Sequence, residues 1–117
     1  MMKALLNLIA FSVVAAFLVA PPAAAQQRAQ YLASGDRFVA ADKYPEAILQ
    51  YRNAVGVDGR SGESHFKLAE AYAHERNLRQ ALVEYIRAAD LMPGNTEAQL
   101  RAGRGLLAAG QFEEAKS

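Results

Sequence analysis

AILQYRNAV (residues 47–55) returns 34 positions later as ALVEYIRAA (residues 81–89), and this recurrence decides the fold. Ala47, Tyr51 and Ala54 fall on Ala81, Tyr85 and Ala88, and Ala115 continues the first column after the same interval. The same offset stacks Tyr44, Leu78 and Phe112, then Phe38, Tyr72 and Leu106, then Gly35, Ala69 and Gly103. An internal period of this length marks an array of supersecondary units. Inside the second unit, Leu68, Ala69 and Tyr72 recur at the three-to-four spacing of one helix face, and Ala81, Tyr85 and Ala88 do so on the next. Each unit therefore reads as two helices. The small column residues let the two helices approach closely, and the Tyr and Phe rings fill the space on the facing side. One such pair cannot bury both of its apolar faces, whereas stacked pairs can.

Turn signals fall where this scheme needs them. Pro45 suits the first turn of a helix, where its missing N–H is not required, and Glu46 complements the positive helix start. Asp58-Gly59-Arg60-Ser61-Gly62 and Pro93-Gly94-Asn95 separate the units, with Asn95 placed as an N-cap. Gly110 breaks the last pair. The spacing predicts helices over 27–41, 45–57, 62–75, 78–91, 96–109 and from 111 onward, in units 28–61, 62–95 and an incomplete 96–117. Ser117 falls inside the second helix of the third unit, so the array is expected to continue beyond it.

Residues 1–25 stand apart from the repeats. Met1-Met2-Lys3 is a short positive start, and Ala4 through Ala20 is apolar except for Asn7 and Ser12. Pro21-Pro22 stops a helix, and Ala23-Ala24-Ala25 offers small residues to a signal peptidase. This order predicts a secretory signal peptide cleaved after Ala25, and with it a periplasmic or secreted protein. The alternative is an uncleaved inner-membrane anchor, for which the apolar run Ala4 through Ala20 falls short of the ~20 residues that a spanning helix needs. The chain has no Cys, which excludes a disulfide framework, a thiolate metal site and a lipidated N-terminal Cys. Cleavage after Ala25 takes Lys3 from the 13 basic residues and none from the 12 acidic residues, so the remainder is balanced. It shows no basic stripe of the kind that nucleic-acid binders carry.

The columns resemble the tetratricopeptide-repeat (TPR) family. The match is carried by Tyr31, Gly35, Phe38, Ala47, Tyr51 and Ala54 in the first unit. In the second it is carried by Leu68, Ala69, Tyr72, Ala81, Tyr85, Ala88 and Pro93, and in the third by Gly103, Leu106 and Ala115. Ser34 and Ala102 depart from the Leu that the family prefers, His65 and Gln99 from a large ring, and Gly59 from a closing Pro. The resemblance implies an all-α, helix-turn-helix superhelix, an alpha-solenoid of about two and a half repeats after the signal peptide. With its exported start the chain is similar to long bacterial TPR proteins, some associated with exopolysaccharide export and surface-protein sorting.

Catalytic and cofactor motifs find no support. Gly103-Arg104-Gly105 with Ala108 imitates a dinucleotide fingerprint, but that motif needs a preceding strand, and here it lies inside a predicted helix. His65 and His74 lie nine residues apart on one helix, too far to share a metal when helical ligand pairs sit about three to four apart. No cofactor, metal or small-molecule substrate is expected, and no nucleophile–base pair can be assembled.

The resemblance implies instead a non-catalytic protein–protein interaction scaffold whose concave groove is lined by the first helix of each pair. The groove positions are Leu32, Asp36, Val39 and Ala40, then Glu63, Phe66, Lys67, Glu70, Ala73 and His74, then Glu97, Leu100, Arg101 and Arg104. Some family members clamp a peptide's terminal carboxylate with Lys and Asn. Here Asp36 and Glu70 stand where that clamp wants Asn, which argues against it. A mixture of apolar Leu32, Phe66 and Leu100 with acidic Asp36, Glu63, Glu70 and Glu97 suits a helical or extended protein segment with apolar anchors and basic flanks. An alternative is an assembly subunit of an envelope or exopolysaccharide export system, membrane-bound only through an uncleaved N-terminal segment.

Overall fold

The computed structural model of the chain describes residues 22–116. Among these residues the chain forms five α-helices: α1 (Ala23–Ala40), α2 (Tyr44–Val57), α3 (Gly62–His74), α4 (Leu78–Leu91) and α5 (Thr96–Lys116). The helix starts follow local chemistry. Pro45 sits in the first turn of α2 with Glu46 beside it. The side chains of Ser61 and Asn77 cap α3 and α4 by accepting from the backbone N–H groups of Ser64 and Gln80. Asn95 Oδ1 accepts from Ala98 N at 3.0 Å, the cap expected for α5. Most of the expected signal segment lies outside the described residues, while Ala23–Ala25, its proposed processing site, form the first turn of α1. No described helix is long and apolar enough to cross a membrane.

Helices α1 and α2 pack as one hairpin and α3 and α4 as the next, with α2 against α3 and α4 against α5 joining the units. The core is made of rings set against methyl groups. Ala47, Ala54, Ala69, Ala88 and Ala98 are fully buried, and Tyr51 and Tyr85 lie between them. Gly35 is required by its neighbour, because a Cβ there would overlap the Tyr51 ring. A polar anchor ties the second hairpin to the preceding turn. His65 is buried, with its ring nitrogens 2.5 Å from Glu84 Oε2 and 2.8 Å from the Gly59 carbonyl. Gln99, one repeat later, uses its amide to donate to the Ala89 carbonyl at 2.8 Å. Both residues thus replace the family's large ring with hydrogen bonds.

The turn inside each hairpin also repeats. Asp42 and Arg76, one period apart, are the two non-glycine residues with positive φ among the described residues, at 57° and 62°. In both turns the following N–H reaches back to a helix carbonyl, Lys43 N to Phe38 O at 2.8 Å and Asn77 N to Tyr72 O at 2.9 Å. This is the left-handed helix C-terminus that glycine usually occupies.

The third unit departs from expectation. Helix α5 runs straight through Gly110 for 21 residues, so the sixth helix expected from 111 onward does not form separately. A lone glycine costs a helix only about 1 kcal/mol, and a short segment folded back would bury little in exchange. Gly103, expected in a tight helix contact, has nothing within 4 Å of a Cβ built on it, and Leu106 is 54% exposed. Leu32 is a second correction. It lies in the core rather than in the groove, because it shares the α1 stripe of Gly35 that faces α2.

Arg76 holds a left-handed conformation that costs an L-residue about 1–2 kcal/mol, partly offset by the chain entropy that glycine loses on folding. Arg76→Gly is expected to stabilise the fold by roughly 0.5–1 kcal/mol, measured by urea unfolding.

Candidate functional site

The first helices of the pairs, α1, α3 and α5, turn one side toward a shared concave face. Between α1, α2 and α3 this face holds a groove of about 480 Å³ lined by Asp36, Val39, Tyr44, Tyr51, Glu63, Phe66, Lys67, Glu70, Ala71 and His74. Asp36, Val39, Glu63, Phe66, Lys67, Glu70 and His74 are thereby brought together as the sequence predicts. Tyr44 and Tyr51 form its floor and wall from α2, a contribution not anticipated from the first helices alone. Tyr44 stacks on His74 with ring centroids 4.0 Å apart and planes within 9°.

The groove continues one repeat further. Between α4 and the far half of α5 lies a second cavity of about 580 Å³, and six of its twelve lining residues are those of the first groove shifted by one period. Val39 becomes Ala73, Tyr44 becomes Leu78, Tyr51 becomes Tyr85, Lys67 becomes Arg101, Ala71 becomes Gly105 and His74 becomes Ala108. The concave face therefore has two related stations, of which the second lacks the counterparts of Asp36, Glu63, Phe66 and Glu70. The aromatic stack of Tyr44 and His74 gives way at the second station to Leu78, 65% exposed, and Ala108, leaving an open apolar slot. Of the remaining expected groove residues, Arg101 joins the second station. Glu97 is tied to Arg101, while Leu100 and Arg104 are exposed on α5 outside both linings.

A polar ladder repeats with the same period. Tyr51 Oη donates to Asp36 Oδ1 at 2.6 Å, and Lys67 Nζ reaches the same oxygen at 3.0 Å. One repeat later Tyr85, Glu70 and Arg101 take these places, with Arg101 3.6 Å from Glu70. In each rung the cation comes from the next repeat, so the ladder stitches neighbouring units. The rungs differ at the tyrosine. Tyr85 Oη is buried and, although Glu70 is near, has no hydrogen-bond partner. Gly35 leaves room for the Tyr51 ring beside Asp36, and the second rung carries Ala69 and the longer Glu70 at these two places. Burial, then its bond to Asp36, raises the Tyr51 pKa well above the usual phenol value. Burial, then the charge of nearby Glu70, pushes Tyr85 up to about 12. Glu70 in turn raises the pKa of the Arg101 guanidinium. Asp36 and Glu70 are thus engaged by cations. Glu63, exposed beside Phe66, has no ion pair among the described residues and is the free carboxylate of the first station.

The two rungs make opposite predictions for one substitution. Tyr51→Phe removes a hydrogen bond to a charged acceptor and should cost about 1–2 kcal/mol. Tyr85→Phe removes an unpaired buried hydroxyl and should change stability by less than about 0.5 kcal/mol, or raise it. Urea denaturation of the two variants measures both.

No protein-family model matches the chain, and no curated protein does. Among solved structures it is similar to the first TPR of Spaghetti (RPAP3) bound to the HSP90 peptide SRMEEVD. The two are 26% identical over 78% of this chain and 74% of that one, with a TM-score of 0.66. The internal period, the paired helices and this likeness agree: the chain folds as a tetratricopeptide-repeat solenoid.

Proposed function

We propose that the chain is a protein-interaction scaffold that takes a partner's peptide segment along its concave face, spanning both stations. The observation that carries this reading is the partial repetition of the groove: two linings that share six positions at the repeat period, each with a tyrosine wall and a basic residue from the next unit. The peptide-bound TPR neighbour supports it. The fitting segment carries one apolar side chain toward Phe66 and Tyr44 and another into the slot between Leu78, Tyr85 and Ala108. A basic residue beside the first anchor faces Glu63. With Asp36 and Glu70 already paired, the unpaired Glu63 disfavours an acidic segment, so SRMEEVD is a poorer fit than a basic one even though the neighbour binds it. Nothing in this arrangement calls for a catalytic step.

Fluorescence anisotropy with two labelled peptides tests the reading. A segment with two apolar anchors and lysine flanks should bind saturably, Phe66→Ala should weaken it at least tenfold, and Glu63→Lys should weaken it severalfold. SRMEEVD should bind more weakly than the basic peptide. Equal binding of both peptides, or indifference to Phe66→Ala, overturns the assignment.

We also propose that the scaffold works outside the cytoplasm, in the periplasm or cell envelope, after cleavage behind Ala25. The support is the order of charge, apolar run and small residues at the start of the chain. Cleavage would remove only the first turn of α1, whose Ala23 and Ala24 are exposed, so the hairpin loses little packing. N-terminal sequencing of the protein from its own cells should begin at Gln26. A chain retaining Lys3 in the membrane fraction would indicate the anchored assembly subunit instead.

A further inference from the structure

We propose that His65 is held as a cation and is a proton-dependent latch between the first hairpin and the second. The latch is closed while the buried ring carries both of its protons, and it opens when one is lost.

The charge follows from what each ring nitrogen faces. Nε2 lies 2.8 Å from the Gly59 carbonyl, which can only accept, so Nε2 carries a proton. Nδ1 lies 2.5 Å from Glu84 Oε2. The other oxygen of that carboxylate accepts from Arg87 at 2.9 Å, which favours its ionised form. An ionised carboxylate is likewise only an acceptor, so Nδ1 carries a proton as well. A neutral imidazole has one N–H and one lone pair. Whichever tautomer it took here, the lone pair would point at an oxygen, in a site where the two side chains are 5% and 10% exposed.

Three parts of the chain meet at this ring. His65 belongs to α3, Glu84 to α4 and Gly59 to the turn that follows α2. The ring therefore ties α3 to α4 and, through Gly59, the second hairpin to the first. The arrangement is confined to the middle unit. One period earlier its two positions hold Tyr31 and Gln50, and one period later the first holds Gln99, whose uncharged amide donates to the Ala89 carbonyl. The surroundings offer no substitute charge. On α4 the ring meets Glu84, with Arg87 behind it. In the turn, Asp58 is engaged by Arg28 of α1 and by the Arg60 N–H, and Arg60 itself is exposed. Among the described residues no ionisable side chain of α2 or α5 makes a hydrogen bond or ion pair with the ring.

Loss of a ring proton sets a lone pair against the Glu84 carboxylate or the Gly59 carbonyl, and one of the two ties breaks. Helix α3, which carries Phe66 next to His65, is then freer to tilt away from the first hairpin. The sign of the effect is fixed. Stability drawn from a cationic ring is fully present below the pH at which an unfolded histidine titrates. It is lost as the pH rises past the point where the folded ring gives up its proton.

Two readouts on the full chain test this. Nitrogen-15 NMR at neutral pH should show both ring nitrogens of His65 protonated, with the His74 signals assigned through His74→Gln. Urea unfolding at about pH 6 and about pH 9 gives the second. Over that range the folding equilibrium constant should fall at least tenfold more in the native sequence than in His65→Gln, which puts the uncharged amide of the next repeat in the ring's place. Glu84→Gln, which keeps the shape and removes the charge, should flatten the profile in the same way. A His65 ring with one unprotonated nitrogen at neutral pH overturns the proposal, and this readout needs no change to the ring or its partners. A fall with pH that is equal in the native sequence and both variants overturns it too.

Discussion

The contact between a tyrosine ring and a residue with little or no side chain is what the rest of this molecule depends on. Tyr51 lies where a Cβ on Gly35 would stand, and that overlap sets how near α2 can come to α1. Once the ring is seated, its hydroxyl points to Asp36, which fixes the carboxylate that Lys67 of the next unit must meet. One packing choice thereby determines the spacing within a hairpin, the tie between hairpins and the wall of the groove. In the second unit, where Ala69 and Glu70 stand for Gly35 and Asp36, the Tyr85 ring is buried and its hydroxyl is left without a hydrogen-bond partner.

That ladder has consequences for recognition. Read as isolated charges, Asp36 and Glu70 make the groove acidic. In the folded chain each is engaged by a cation from the following repeat, so these pairs contribute mainly to register. Exposed ion pairs of this kind contribute little energy singly, and the Lys67–Asp36 pair is partly exposed. Their worth lies in being repeated at every joint. What remains for a partner to read is Glu63, the aromatic rims at Tyr44, Phe66 and His74, and the apolar slot one repeat on. Preference between partners would then rest on the apolar anchors and their spacing, with charge deciding direction.

The fold was legible because period and packing coincide. The Ala and Tyr columns could be aligned from the sequence alone, and α2, α3 and α4 lie within a residue or two of the predicted ranges. Most of the groove lining between α1, α2 and α3 was named by the family resemblance that the alignment carries. The misreadings have separate physical causes. Leu32 was expected in the groove from its family position, but it is buried on the same stripe as Gly35, and burial of a leucine outweighs a family position. Gly110 looked like a break because glycine is a local stop signal, but a turn persists only when the returning helix has enough surface to bury. The ladder was missed because alternating surface charge usually reads as solvated helix. The offset that reveals it, Lys67 to Arg101 and Asp36 to Glu70, was nonetheless present in the repeat.

The central claim is that the concave side of α1, α3 and α5 is the face that meets a partner. Two-dimensional NMR of the full chain, titrated with a basic-flanked peptide carrying two apolar anchors, tests it most directly. The expected result is a contiguous set of shifted resonances from Val39, Phe66, Lys67, Glu70 and His74 on through Ala73, Leu78, Gly105 and Ala108. Shifts confined to the outer faces of α2 and α4, at Leu49, Arg52 or Arg87, with the groove unmoved, would contradict it.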